Sequence, residues 1–485
     1  MREPPSIPSS SRRRISLRPA EQRVLLVLGD MGASFFAWLA AVTLWFFMAI
    51  PNPSWRAWVD FITTRPWWFY ILPILWVLFL VDLHDDSRAF NLHRTAQGLL
   101  SVALLALVLY LMTYFVLNVD RRVLPRVSVA AFIGFATFFV FLWRALYIRM
   151  SQQTGRRVLI VGAGRHGQAL VAALQNEPTG TPLYLVGYID DDWAKHGRKY
   201  HGLPVLGDAK ALLDIAQHYQ ITDAVVAIVG EIRGELFQAL LDLQSYGVEV
   251  THLHAFYEEV YQRVPISHLG ANWLLDSFVD EARKSVYYEW AKRALDITGA
   301  LVGLVLLGVM APFIALAIWV ESGRPILFKQ TRVGRHGRLF TVYKFRTMWP
   351  RDRMPTSDGT TNRWADDEEV RRVTRVGRIL RKSHLDEFPQ FWNVLLGHMS
   401  VVGPRPEQPK LVEALEKTIP FYRARLLVKP GITGWAQIKY GYAATVQDTE
   451  RKLEYDLYYI KHRNILLDLL IILRTLASVL GFRGH

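Results

Sequence analysis

Apolar and polar positions divide the 485-residue chain into three kinds of stretch. In the first third, apolar segments at about 24 to 50, 67 to 83, 99 to 118 and 128 to 148 each approach the length that crosses hydrocarbon. Four crossings return both ends to one side. Between about 156 and 255 the pattern becomes short and alternating: "RRVLIVGAGRHGQAL", "PLYLVGYIDDD", "ITDAVVAIV" and "GVEVTHL" read as strands, with helical stretches near 209 to 219 and 234 to 245. Such alternation predicts a doubly wound, mostly parallel sheet. The third pattern opens with "DITGALVGLVLLGVMAPFIALAIWVESG", from Asp296 to Gly323, long enough to span but interrupted by Pro312. A proline inside a helix removes an N–H and clashes with the preceding turn, which predicts a kink or break there. Beyond about 325, "HGRLFTVYKFRTM" predicts a strand pair, and short helices are expected around 366 to 380, 389 to 396 and 407 to 417. In the tail, "RNILLDLLIILRTLASVLGF", charges interrupt an apolar run, as in a helix lying on a membrane or in an ordinary packing helix.

Charge adds direction to this pattern. Arg12, Arg13, Arg14, Arg18 and Arg23 precede the first crossing, and Arg144, Arg149, Arg156 and Arg157 follow the fourth, so the positive-inside bias places both ends in the cytoplasm. Arg121, Arg122 and Arg126 run against it, in a loop this topology puts outside. Lys284, Lys292 and Arg293 before the 296–323 run, and Arg324, Lys329, Arg332, Arg335 and Arg338 after it, want the same side, which favours a helix that enters the membrane, bends at Pro312 and leaves where it came in. Composition agrees with a membrane protein: 51% hydrophobic residues, 13% aromatic and 16 Trp. The net charge of +14 suits nucleic acid, anionic lipid or a phosphorylated substrate, and its location chooses among them; with the motifs of this chain, no nucleic-acid partner is expected. With no cysteine, disulfides, thiol nucleophiles and thiolate metal sites are excluded.

Three groups of residues could carry chemistry. Gly162, Gly164 and Gly167 follow a strand and open a helix, and Asp190 ends the next strand, the context of a dinucleotide site; the alternative is a fold kept for structure or regulation. Tyr288 and Lys292 have the YxxxK spacing of short-chain dehydrogenases, with Ser277 upstream, but "YYEWAKRALD" also reads as a basic interfacial helix. Asp386 and Glu387, in "LDEFPQFWNVL", precede Pro389, a residue suited to a first helical turn, and would gain from that helix's positive end. Alone, such a pair is commonly a helix-start device. Lys344, Arg346, Arg381, Lys382 and Arg405 in the same segment suggest a phosphate clamped by cations and a divalent metal, with a carboxylate free to attack phosphorus.

In order across about 290 to 473, "AKRALDI", "ILFKQTRVGRHGRLFTVYKFRTM", "SHLDEFPQFWNVLLGHMSVVGPRP", "RLLVKPGITGWAQI" and "KLEYDLYYIKHRNILLDLLIIL" resemble the polyprenyl-phosphate hexose-1-phosphate transferases. These are the large monotopic phosphoglycosyl transferases that begin bacterial exopolysaccharide, capsule and O-antigen assembly. The resemblance implies a multi-domain protein of the bacterial inner membrane: a four-helix transmembrane bundle, a Rossmann-like α/β domain, then a monotopic α/β catalytic domain with a re-entrant membrane helix, at the cytoplasmic face. Expected boundaries are a disordered basic arm over 1–23, crossings over 24–150, the Rossmann-like domain over 156–265, a linker and interfacial helix over 266–295, the re-entrant helix over 296–322 and the catalytic domain over 323–485. It implies that Asp386 attacks the sugar-linked phosphorus of a UDP-sugar, glucose and galactose being the expected sugars. UMP leaves, and undecaprenyl phosphate takes up the phosphosugar in a ping-pong second step. By the same resemblance Glu387 binds Mg²⁺, Arg381 contacts phosphate, Pro404, Arg405 and Pro406 lie by the nucleotide, and Lys344 and Arg346 are phosphate or structural contacts. Pro312 is the break of the re-entrant helix, with Ala311 where small members have Ser and Phe388 where Leu is usual. The Rossmann-like domain is expected to be regulatory or to support a homodimer, and membrane lipids are partners. Competing expectations are a membrane-tethered, NAD-dependent sugar nucleotide dehydratase or epimerase using Gly162, Asp190, Tyr288 and Lys292, and a non-enzymatic scaffold.

Overall fold

The computed structural model describes residues 19–64, 67–84, 92–116, 126–153, 155–177, 179, 182–228, 230, 232, 234–266, 286–349, 372–441 and 445–479. Most of the N-terminal arm, Arg121 and Arg122, and much of the 266–295 linker, with Ser277, lie outside them. The chain forms two compact units, Met1–Tyr261 and Gln262–His485.

The first unit begins with helices α1 (Pro19–Ala49), α2 (Trp55–Thr63), α3 (Leu72–Phe79), α4 (Leu92–Val116) and α5 (Arg126–Gln153). Within α1 and α5, Val24–Ala49 and Val127–Met150 are long and apolar enough to cross a membrane. The crossing expected over 67 to 83 is not one helix. A 3₁₀ turn, Trp67–Ile71, leads into the short α3, and with α2 it makes a pair bent by 93°, one span only if the pair counts as one. Pro73, at the start of α3, suits a helix that begins anew there. In α4 the apolar stretch among the described residues is Thr95–Val108, shorter than a crossing. Arg144 does not stand free at the cytoplasmic exit as the sequence pattern suggests: it is buried on Asp30, which also meets His84 at 2.8 Å, a charged pin between α1 and α5.

The alternating segment folds as expected. Strands β1 (Arg156–Val161), β2 (Leu183–Ile189), β3 (Lys199–Tyr200), β4 (Leu203–Gly207), β5 (Asp223–Val226) and β6 (Glu249–His252) form one sheet in the order β3-β4-β2-β1-β5-β6, parallel except for β3. Because side chains alternate along a strand, Leu159 and Val161 enter one core with Leu212, Leu240 and Leu243, while Val158 and Ile160 enter the other with Leu170, Val171 and Phe256. Those partners belong to α6 (Arg165–Asn176), α7 (Leu212–Tyr219), α8 (Glu235–Tyr246) and α9 (Leu253–Tyr261). Arg156 is also buried, paired with Asp223 and, at 3.1 Å, with Glu259.

The second unit is built along α10 (Val286–Ser322), a single helix of 37 residues. The interfacial and membrane segments expected as separate pieces are thus one element, and Pro312 lies inside it without ending it. The missing N–H leaves one carbonyl of the preceding turn unpaired, a defect a long helix tolerates. After α10 come the antiparallel strands β7 (Leu327–Val333) and β8 (Leu339–Phe345), then α11 (Arg375–Lys382), α12 (Gln390–Leu395), β9 (Ser400–Val402) and α13 (Pro409–Thr418). β10 (Gly431–Thr433) pairs in parallel with β9, and α14 (Trp435–Lys439), α15 (Val446–His462) and α16 (Ile465–Val479) finish the unit. One face of α10 is buried on the unit at Asp296, Ala300, Ile314, Ile318 and Ser322, while Val302, Val305, Val309, Phe313, Leu316 and Val320 are exposed. Contact therefore runs over about 39 Å of helix, at 1.5 Å per residue. α16 likewise buries Asp468, Ile471 and Arg474 and exposes Leu466, Leu469 and Leu476. It packs and still offers an apolar face.

Candidate active site

Asp386 and Glu387 lie in a 3₁₀ turn, Leu385–Glu387, entered through His384 in the left-handed region (φ 56°). The turn runs on into α12 through Phe388 N–H to Leu385 O (3.3 Å) and Phe391 N–H to Phe388 O (3.0 Å). Pro389 is the residue before α12 rather than its first, and with six residues that helix is too short to lend much of a dipole. Position comes from packing instead. Asn393 donates to Thr341 O of β8 at 2.7 Å, and Phe391 presses on Gly303 of α10 so closely that a Cβ there would stand 2.3 Å from its ring.

The two acids have opposite surroundings. Glu387 Oε1 accepts from Lys344 Nζ at 2.6 Å and from Arg405 Nη2 at 2.7 Å. Burial pushes its carboxyl up, but the Arg405 and Lys344 charges outweigh that and hold it at about 2. Asp386 is 9% exposed and has no hydrogen bond or ion pair among the described residues. Burial first, and the Glu387 charge second, push its carboxyl up, opposed by Lys344, His384 and Arg381. Arg381 donates Nε to Thr347 Oγ1 at 3.0 Å, which holds its guanidinium in place by one nitrogen.

The loop Pro404–Arg405–Pro406 is held through its carbonyls. Gly431 N–H reaches Pro404 O at 2.9 Å, Arg425 reaches Arg405 O at 2.9 Å, and Arg332 reaches Pro406 O at 3.0 Å. Arg425 is itself anchored on buried Asp456 at 3.0 Å. Glycine is required where this loop meets β10: a Cβ on Gly431 would lie 2.1 Å from the Gly403 nitrogen. A narrow crevice runs between these parts, lined by Arg332, Lys344, Gln390, Arg405 and Pro406 among others. Gln390 is 3% exposed, and its Nε2 has no hydrogen-bond partner.

Lys344, Asp386, Glu387, Arg405 and the flanking prolines are thus brought together, with Arg381 near enough to act on Asp386 electrostatically. Arg346 is not among them: it caps the end of α10 through Ser322 O (2.9 Å) and Gly323 O (2.6 Å), the structural one of its two expected roles. Arg332, Arg425, Asp456 and Gln390 carry no motif of their own. Arg332 and Arg425 lie inside the family-like stretches, but nothing along the chain pairs them with 404–406. Among the described residues no group of three or more His, Cys, Asp or Glu side chains could hold a metal ion. The donor set is one ionised carboxylate, Glu387, which fits an ion such as Mg²⁺ that draws most of its shell from phosphate oxygens and water.

Neither feature of the redox alternative is available. Asp190 accepts from Ala163 N–H at 2.8 Å and from Lys195 at 2.9 Å, so its own loop occupies the carboxylate a ribose would need. Burial raises its pKa, but the Lys195 bond and backbone N–H groups bring it below the usual range. Gly167 serves close packing, since a Cβ there would lie 2.0 Å from Gly162 O, and Gly164 stands at the start of α6. Lys292 contacts Val402 O and Asp468, each at 3.1 Å, and Tyr288 donates to Asp468 at 3.3 Å. The YxxxK spacing is a brace within the second unit, whereas the glycine loop belongs to the first.

A carboxylate short of donors, beside one saturated with cations and at the foot of a long apolar helix, suits a transferase working on phosphate at a membrane. The chain belongs to the bacterial sugar transferase family, whose model matches residues 287–482. A CoA-binding domain model matches residues 84–250. The chain is 40% identical, over 54% of its length and 60% of the relative's, to the UDP-N-acetylgalactosamine-undecaprenyl-phosphate N-acetylgalactosaminephosphotransferase of Aeromonas hydrophila. It is 31% identical to the UDP-glucose:undecaprenyl-phosphate glucose-1-phosphate transferase of Xanthomonas campestris pv. campestris, over 67% of each chain. To the protein of that name in Escherichia coli K12 it is 32% identical, over 68% of each chain. The chain therefore spans about three fifths to two thirds of these relatives.

Proposed function

We propose that this chain transfers a hexose 1-phosphate from a UDP-sugar to undecaprenyl phosphate, as the first membrane step of a bacterial polysaccharide. The relatives' names support the substrate classes and give N-acetylgalactosamine and glucose as sugars; glucose or galactose is the sugar proposed for this chain. In the first half-reaction an Asp386 oxygen attacks the sugar-linked phosphorus, the bond from that phosphorus to the bridging oxygen breaks, and UMP leaves. The product is a mixed anhydride between Asp386 and the phosphosugar. An oxygen of undecaprenyl phosphate then attacks the same phosphorus and returns Asp386 as a carboxylate.

The observation that carries this reading is the missing partner of Asp386. Glu387 draws Lys344 and Arg405 to itself, which leaves its neighbour mostly buried and without a hydrogen bond or ion pair among the described residues, the condition of a carboxylate available to attack. Arg405, Lys344 and Arg381 stand where a diphosphate needs positive charge. Mg²⁺ held by Glu387 and substrate oxygens would offset charge on the leaving group. The long contact of α10 with its own unit supports a helix lying against or dipping into the cytoplasmic leaflet of the inner membrane, rather than one that carries its far end away. Its exposed valines and Phe313 would meet lipid. That brings a lipid phosphate and a dissolved nucleotide to one boundary. Homodimer formation through the first unit remains part of the proposal. The test is trapping: purified protein given a UDP-sugar labelled in the sugar, without acceptor, should carry the label on the peptide containing Asp386, and label found on another residue overturns the assignment.

A further inference from the structure

At the turn end of the β7–β8 hairpin, away from the dyad, an open recess of about 430 Å³ is lined by Arg335, His336, Arg338, His398 and Lys429, with no carboxylate on its wall. Lys344 lies five residues further along β8 than Leu339, roughly 17 Å at strand spacing, so this is a separate place. Its cations are engaged only lightly by the described residues. Lys429 is half-buried without an ion pair or hydrogen bond among the described residues, and Arg338 is exposed and equally unpaired. Arg335 gives Nε only to Leu427 O, at 3.1 Å. A second basic side chain stands by Lys429, since a Cβ on Gly397 would lie 3.8 Å from both Lys429 Nζ and Arg293 Nη2. Burial, then the Arg293 charge, push the Lys429 pKa down. The Asp296 and Glu289 charges offset this only in part, and half-buried positive charge left short of counter-charge costs free energy that an anion would recover.

The wall also carries apolar Leu339, 63% exposed, and along the chain Trp392 of α12 and Leu396 just after it are exposed shortly before Gly397 and His398 enter the cavity. A cationic wall beside exposed apolar side chains matches an amphipath with a phosphate head. We infer that this cavity is a second anion site, which takes the phosphate-bearing headgroup of a membrane lipid and is distinct from the reaction centre at Asp386. The site holds the unit at the bilayer by charge where α10 holds it by apolar contact.

The test uses the full-length chain in neutral detergent and counts retained lipid by native mass spectrometry. Phosphatidylglycerol, phosphatidylcholine and inorganic phosphate are the probes. The wild type should retain phosphatidylglycerol over phosphatidylcholine, and Arg338→Gln with Lys429→Gln should raise the half-saturating concentration about tenfold, the loss of charge-assisted phosphate contacts. The charge-matched pair Lys410→Gln with Arg423→Gln, outside the cavity, should leave it unchanged. If millimolar inorganic phosphate displaces the lipid, and does so less well in the cavity variant, the site stands and its ligand is a soluble phosphate. Equal retention by wild type and cavity variant, or an equal loss in the control pair, overturns the site. Arg338→Gln alone, at an exposed position, serves if the double variant does not fold, with about a threefold rise expected.

Discussion

Asp190 in the first unit and Asp386 in the second each stand in a turn beside basic residues, and the molecule treats them in opposite ways. Asp190 receives a backbone N–H and the Lys195 ammonium from its own loop. Among the described residues Asp386 receives no hydrogen bond or ion pair: Lys344 and Arg405 converge on one oxygen of Glu387, and Lys344, His384 and Arg381 reach Asp386 only through their charge. The lesson is that an acid's neighbours matter less than how they are spent. A carboxylate satisfied by its own chain contributes to stability, and one left short of donors keeps its reactivity for a substrate.

The largest expected effect comes from removing the open acid. Asp386→Asn should lower UMP release by about 10⁴-fold or more, with the melting behaviour retained, as for a nucleophile whose chemistry no neighbour replaces. Near-normal turnover in that variant would end the comparison. Next, Glu387→Gln should cost about 10²-fold in turnover, the scale of losing one preorganised electrostatic group. It should also move the acid limb of the rate profile. In the wild type the Asp386 carboxyl lies above its ordinary value, partly through Glu387. Taking away that negative charge and freeing Lys344 and Arg405 lowers it, so activity should persist to lower pH; a limb that stays in place means Glu387 does not set the protonation of its neighbour.

Stability gives the smaller effects. Arg425→Leu breaks a buried pair with Asp456 and should destabilise the second unit by about 3–5 kcal/mol, read in denaturant unfolding. Turnover should fall in the fraction that remains folded, because the Arg405 carbonyl loses its donor. Asp190→Asn should cost only about 1 kcal/mol and leave UMP release unchanged. The folded Asp190 carboxyl lies below its unfolded value, so its contribution is present above about pH 4 and is lost as pH falls through the folded value. The gap between wild type and variant should therefore close in acid. A variant that loses turnover without losing stability would make Asp190 a working residue after all.

Much of the fold was legible from periodicity. Short continuous apolar runs such as Val158 to Val161 predicted buried strands, and both cores formed around them. Apolar length marked α1, α5 and α10, whereas the stretch over 67 to 83 misled, since an apolar run reports burial and not whether one helix continues through it. Around the site, the Asp-Glu pair and Arg405 were visible because they are close in sequence to distinctive neighbours. Arg332 and Arg425 were not, because their partners are far along the chain, and Gln390 was not, because only folding buries its amide beside them.

By itself the sequence determined the order of the units, the strands of the sheet, the long apolar helix and the acids worth suspecting, since all follow from spacing along one dimension. Only the tertiary structure decided that Glu387 and not Asp386 takes Lys344 and Arg405, that Arg346 caps a helix, and that Tyr288 and Lys292 brace α10 against Asp468. An ion pair forms where two side chains meet in space, and folding sets that meeting place through packing between distant segments.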